Sequence, residues 1–217
     1  MTISDSTVAI IGTGNIGSKL AANFAAGGQD FLLADRDQDA ARKIASGLDG
    51  HAEVVSIDEP VGRADVLVVC LWMDAFEQFI TQYGARLAGK VIVDPSNPVG
   101  PDGQGGYHKV IGEQESSGQI LAGLLPAGAR LVKAFGTLSA PTLSSAARRE
   151  PEHAVQFYAA DDAAAGDLVA DLIRAGGYEP VRVGGLDQSI RIEMFGDLHE
   201  YGALGRVVTK SEALKEI

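Results

Sequence analysis

The sequence predicts an α/β protein: a doubly wound parallel sheet with a small appended α+β unit at its C-terminal end. Three observations carry this. An apolar run at 8–11 breaks into the glycines of GTGNIG and then enters a helical pattern. Short Val/Ile/Leu runs alternate with helical patterns as far as residue 134, as parallel strands joined by helical crossovers require. Beyond that point the order changes, and a strand-like segment, a capped helix and a second strand-like segment fill the last third.

The elements justify themselves in order. Residues 8–11 read as a strand buried on both faces, and the following helix places Leu20 and Phe24 one turn apart before a Gly27-Gly28 stop. Further strands are expected at 31–34, 53–56, 66–71, 91–93 and 130–134. Between the fourth and fifth of these six strands a helix over 75–87 aligns Phe76, Phe79, Ile80, Tyr83 and Leu87 in one stripe, with Asp74 and Glu77 as a capping box. In the last third, 155–158 and 180–183 read as strands. They flank a helix over 163–175, capped by Asp162 and stopped by Gly176-Gly177. This divides the chain into a Rossmann domain, 1–138, and a small domain, 139–217, with a ligand crevice at the carboxyl ends of the strands.

Composition narrows the functional classes. A formal charge of -11 over 217 residues argues against nucleic acid or an anionic membrane as partner, while leaving room for a polyanionic cofactor at a local positive site. No apolar stretch reaches membrane-spanning length, and the N-terminus lacks a basic region followed by an apolar one, so a cytoplasmic location is expected. The single cysteine, Cys70, falls inside an apolar run and reads as a buried core thiol.

Four stretches carry chemistry. In GTGNIG, Gly12 permits a tight turn, Gly14 lets backbone approach a phosphate, and Gly17 lets the helix sit close to the strand. The helix N-terminus then presents unpaired N–H groups and a positive dipole end to an anion. At the end of the second strand stand Asp35 and Arg36: a carboxylate there accepts from a free ribose 2'-hydroxyl, and an arginine pairs with a 2'-phosphate. Having both, the sequence favours NADP and leaves NAD open. In VIVDPSNPVGPDGQGGYHK, Pro95 and Pro98 stiffen a strand exit and hold Asn97 where its amide could meet cofactor or substrate. The glycines at 100, 103, 105 and 106 suggest a mobile loop over the site. In LVKAFGTLSAP, Phe135, Gly136 and Thr137 repeat that logic one strand along.

These segments, GTGNIG, DPSNPVG, VKAFGTLSAP and the closing EMFGDLHEYGALG, resemble in the same order the NADP-dependent oxidoreductases that use the deazaflavin coenzyme F420, together with the cytosolic domain of the STEAP metalloreductases. The resemblance covers essentially the whole chain. It implies a pyrophosphate on Gly12, Thr13, Gly14, Asn15, Ile16 and Gly17. It implies 2'-phosphate recognition at Asp35 and Arg36, where the family's arginine is kept and its serine is not. The family's further basic residue on the next helix has no match at Ala40, although Arg42 and Lys43 are near. Leu71, Trp72 and Met73, with Ala134, Phe135, Gly136 and Thr137, match positions that approach the nicotinamide, and the STEAP-like Phe-Asn-Thr reads Phe-Gly-Thr here. A homodimer formed through the C-terminal part is implied as well.

Hydride transfer between nicotinamide and a deazaflavin needs no protein acid, because the two rings carry the chemistry. That suits a chain whose histidines are scattered at 51, 108, 153 and 199. His199 stands near Asp197 and Glu200 without a second histidine or cysteine at ligand spacing, so no metal site is expected, and it reads as packing or lining the pocket near the C-terminus. His108 is a candidate for touching substrate. Three functional classes follow: an oxidoreductase passing hydride between NADP(H) and F420 or a flavin-like acceptor, an NAD(P)-dependent reductase of a small carbonyl or imine, and a non-catalytic dinucleotide-binding redox sensor.

Overall fold

The computed structural model describes residues 2–217. In chain order the elements are β1 (Val8–Ile11), α1 (Asn15–Ala26), β2 (Phe31–Ala34), α2 (Gln38–Ala45), β3 (Ala52–Val55), α3 (Glu59–Arg63) and β4 (Val66–Val69). Then come α4 (Met73–Tyr83), β5 (Val91–Asp94), β6 (Val99–Pro101), β7 (Tyr107–Lys109), α5 (Ser117–Leu124), β8 (Arg130–Ala134) and α6 (Ala140–Ser145). The chain finishes with β9 (Val155–Ala160), α7 (Ala163–Ala175), β10 (Glu179–Gly184), α8 (Ser189–Ile192) and α9 (Lys210–Ala213).

One eight-stranded sheet runs β10-β9-β8-β5-β4-β1-β2-β3. From β3 to β8 every pairing is parallel, which gives the doubly wound Rossmann arrangement. The last third joins this same sheet: β9 returns antiparallel to β8, pairing Lys133 with Ala159, and β10 runs parallel to β9.

Alternation along each strand sends successive side chains to opposite layers. Val8 and Ile10 of β1, with Val66 and Val68 of β4, face Leu20 and Phe24 of α1 and Leu172 and Ile173 of α7. Ala9, Ile11, Leu67 and Val69 face the other way, onto Phe76, Phe79 and Ile80 of α4 and Leu121 of α5. The stripe read on α4 is buried throughout, Leu87 included, each large side chain contributing roughly 1.5–3 kcal/mol of apolar burial.

Local details differ from the sequence expectations. Helix α4 begins at Met73 behind Trp72, and no side chain caps it, so the Asp74/Glu77 box does not form; past Tyr83 the chain tightens into a 3-10 turn, Gly84–Leu87. The fourth strand ends at Val69, and Cys70 and Leu71 turn out of it to line a cavity. Cys70 is accordingly only partly buried. The glycine-rich stretch expected as a mobile loop is a hairpin instead: β6 and β7 pair antiparallel, Gly100 opposite His108, and Asp102 Oδ1 caps the turn by accepting from Gln104 N and Gly106 N. Helix α7 matches its expected bounds, with the Asp162 side chain accepting from Ala165 N at 2.7 Å.

Candidate active site

A cavity of about 590 Å³ opens at the carboxyl ends of the parallel strands. Its floor is the β1–α1 turn. Gly12 sits at φ +93°, where a side chain would be strained, and a Cβ there would lie 2.6 Å from Cys70 O. A Cβ on Gly17 would stand 1.9 Å from Gly12 O, so only glycine lets α1 lie this close to the turn. Gly14 is different, because a Cβ there meets nothing within 4 Å and would project into open space. Gly14, Asn15 and Ile16 line the cavity at the start of α1, a helix whose N-cap makes no side-chain hydrogen bond. These first-turn N–H groups are left to an anion, and the turn fits a pyrophosphate.

The β2 side carries Asp35 and Arg36, the pair expected to read a ribose. Thr13 is turned out of the cavity: its N–H and its Oγ1 both donate to Asp35 Oδ2, at 2.6 and 2.7 Å, while Asp37 N donates to Oδ1 at 2.9 Å. Burial acts on Asp35 to raise its pKa, but these bonds, with the Arg36 charge, outweigh it and hold the carboxyl below its usual range. Beside it Arg36 is exposed and makes no ion pair among the described residues, whereas Arg42 is engaged by Asp39 and Gln38. Arg36 is therefore the free cation at this end, lining both the cavity and the adjoining depression along α2.

The opposite end is aromatic. Trp72 and Tyr107 lie with ring centroids 6.5 Å apart and are 57% and 46% exposed, and Tyr201 joins them at the rim. Leu71 lines the wall, but Met73 turns into the core. Asn97 also lines the wall, with its amide already engaged: Nδ2 donates to Gly136 O at 3.0 Å and Oδ1 accepts from Met194 N at 2.6 Å. The amide thus joins two backbone segments. Ala134, Phe135, Gly136 and Thr137 do not face the cavity. Phe135 takes φ +64°, which turns its ring into the core 5.7 Å from Phe24, and Thr137 Oγ1 donates to buried Gln156. Leu138, Ser139, Ala140 and Pro141 take the lining position instead.

The perturbed titratable groups along the cavity are all pushed away from neutrality. His199 is 1% exposed, and burial takes it down to about 4 against the opposing pull of Glu200 and a bond to Gly136. Its Nδ1 accepts from Tyr201 N at 2.9 Å, so the neutral ring carries its proton on Nε2. Burial, with the Asp58 carboxylate, pushes Tyr83 up to about 12, and burial pushes the Cys70 thiol up as well. No general acid for neutral pH stands out among them. No group of three or more His, Cys, Asp or Glu side chains that could hold a metal occurs among the described residues.

A buried charge cluster supports the aromatic end from below. Lys133, in the middle of β8 and 1% exposed, donates to Asp94 Oδ2 (2.7 Å), Ser96 O (2.6 Å) and Ser117 Oγ (2.7 Å). Glu193 accepts from Ser117 N, Ser117 Oγ and Gly118 N at the start of α5, where the helix dipole favours an anion. The cluster joins β5, β8, α5 and the segment leading to Met194. Sequence reading missed it. The available signal was a lysine inside the apolar run LVKA, since a strand-interior charge requires buried partners.

Residues 7–98 match the family model described as "NADP oxidoreductase coenzyme F420-dependent". The chain is 27% identical over 197 residues to a protein of Methanothermobacter thermautotrophicus named F420-dependent NADP reductase, covering 86% of this chain and 84% of that one. Among solved structures, the hypothetical protein SMa0349 of Sinorhizobium meliloti superposes with a TM-score of 0.82 at 27% identity, over 97% of this chain and 96% of the other. A chain from Arthrobacter sp. FB24, provisionally assigned as an F420-dependent NADP-reductase, gives 0.72 at 23% identity over 85% and 87%. An Aspergillus terreus reductive aminase solved with NADPH4 shares the fold at a TM-score of 0.60 and 21% identity, over 85% of this chain and 56% of that one. By these matches the chain is an NADP-dependent oxidoreductase, similar over residues 7–98 to the coenzyme F420-dependent family and over most of its length to a protein named F420-dependent NADP reductase.

Proposed function

We propose that the protein passes hydride between NADP(H) and a planar deazaflavin, coenzyme F420, or a flavin-like acceptor. The observation that carries this is the polarity of the cavity: a free arginine at the β2 end and exposed aromatic rings at the other, with a glycine turn between them. In this reading Gly14, Asn15 and Ile16 hold the pyrophosphate, Arg36 holds the 2'-phosphate, and Leu71 and Trp72 border the nicotinamide. Bound NADPH supplies the electron pair as hydride from C4 of its ring, leaving NADP+, while the acceptor ring is reduced and takes its balancing proton from solvent water.

The side chains position rather than react. Asn97 fixes the β5 exit against Gly136 and Met194, and neutral His199 closes the wall. The Tyr83 hydroxyl donates to Asp58 and His199 is engaged by Tyr201 N, so neither is left free to serve as the acid that reduction of a small carbonyl or imine would use. Anaerobic mixing with NADPH or NADH while following the absorbance of oxidised F420, with FMN in parallel, tests the proposal. Bleaching with NADPH supports it. NADPH binding without bleaching of either acceptor points to a small substrate or a sensor.

A further inference from the structure

The charges around the aromatic end specify more than a planar ring. This step rests on the hydride-acceptor reading above. Among the residues lining the cavity, the one permanent cation is Arg36, at the far end beside β2. The cations nearest the aromatic rim are already engaged. Lys109 shares the Tyr107 side of β7, and its Nζ donates to Glu113 O and Glu115 O, both at 2.8 Å. Arg191, shortly before Met194, is held by Asp197 and by Glu216 O. His199 is buried and neutral, and Lys133 lies beneath the wall, compensated by Asp94 and Glu193. No free cation stands nearby in compensation among the described residues: Glu200, between the lining residues His199 and Tyr201 though not itself lining the cavity, has its Oε1 accepting from Ser139 N at 2.7 Å.

We infer that the acceptor end binds a planar aromatic ring by stacking and gives no purchase to an anionic tail, so that the ring alone is the better ligand. Trp72 and Tyr107 provide faces for a ring, and with Tyr201 they leave apolar area exposed that a ring would cover. Among the described residues, a phosphate or oligocarboxylate attached to that ring meets no free cation at this end of the cavity. Repulsion from a chain of formal charge -11 then weakens tailed ligands at low salt.

The chain's single tryptophan is Trp72, so its fluorescence reports directly on occupation of this rim. With NADP+ present, quenching is titrated with riboflavin and FMN, and with the tail-free 8-hydroxy-5-deazaflavin nucleoside and coenzyme F420. Each titration is run from about 0.01 to 0.15 M salt, over which the Debye length falls from about 30 to about 8 Å. Turnover with NADPH is measured alongside. The inference expects the tail-free member of each pair to bind about threefold or more tighter at low salt, with the gap closing as salt rises. A tailed member that binds about tenfold tighter, with an advantage that salt removes, would reveal a cationic tail site and overturn it. Turnover without preference for the tail-free ring overturns the inference and leaves the hydride-acceptor reading standing. No quenching and no turnover with any ring overturns both.

Discussion

Thr13 donates its backbone N–H and its hydroxyl to the same oxygen of Asp35, at 2.6 and 2.7 Å. The carboxylate that would otherwise favour NAD at the end of β2 is thereby bound to the glycine turn, with Asp37 N on its other oxygen. Arg36, alongside, has no ion-pair partner among the described residues. The two neighbouring charges, which compete when read as sequence, are separated in the structure by their partners.

Arg36→Ala is expected to weaken NADPH by about ten- to a hundredfold at low salt, the worth of a charge-assisted phosphate contact, and NADH far less. Calorimetric titration of both nucleotides checks this. Equal losses would remove Arg36 from 2'-phosphate recognition.

The glycines of the turn should separate binding from folding. Gly14→Val, placed where a Cβ meets nothing within 4 Å, is expected to leave the unfolding midpoint nearly unchanged and to abolish nucleotide binding. Gly17→Ala drives a Cβ to 1.9 Å from Gly12 O and should destabilise the fold by roughly 1–3 kcal/mol or more. Urea denaturation paired with NADPH titration distinguishes the two effects, and a Gly14→Val protein that still binds would take this turn out of the site.

His199 ties stability to pH. Its folded pKa, about 4, lies below the ordinary 6.5, so between these values the unfolded chain binds the proton and the folded chain does not. The buried neutral ring therefore costs nothing above about pH 7.5 and costs progressively more as pH falls through 6.5 toward 4, reaching about 3 kcal/mol at most. Unfolding free energies at pH 7.5 and pH 5 should differ less in His199→Gln than in the parent. Identical pH dependence in the two proteins would contradict the assignment.

Removing Lys133 leaves Asp94 and Glu193 buried without their cation. Lys133→Met is expected to cost about 3–5 kcal/mol in urea unfolding, and Asp94→Asn in the same chain should recover part of that. A loss under 1 kcal/mol would show that the cluster is not held by charge.

How far the sequence reveals the site can be seen residue by residue. The run at 8–11, the strand expected at 66–71 as far as residue 69, the stripe on α4 and the capped α7 were legible because period and burial coincide there. The roles of Gly12 and Gly17 were legible because only backbone geometry explains them. What escaped reading depends on side chains meeting from distant segments. Lys133 and Glu193 are 60 positions apart in the numbering, and nothing local to either names the other. Phe135 reads as an exit residue facing ligand until its positive φ turns it into the core. Tyr107 lay in a stretch whose glycines suggested a loop, and the pairing of β6 with β7 is what carries it beside Trp72.

The proposed function requires that this cavity pass hydride directly from nicotinamide to a planar ring held against it. The most direct test follows the label from NADPH deuterated at the transferring C4 position to C5 of a deazaflavin, in ordinary water, by mass spectrometry of the reduced acceptor. Deuterium is expected at C5, because the hydride moves without exchanging with solvent. Reduced deazaflavin carrying only solvent hydrogen, or no reduction while NADPH stays bound, would contradict it.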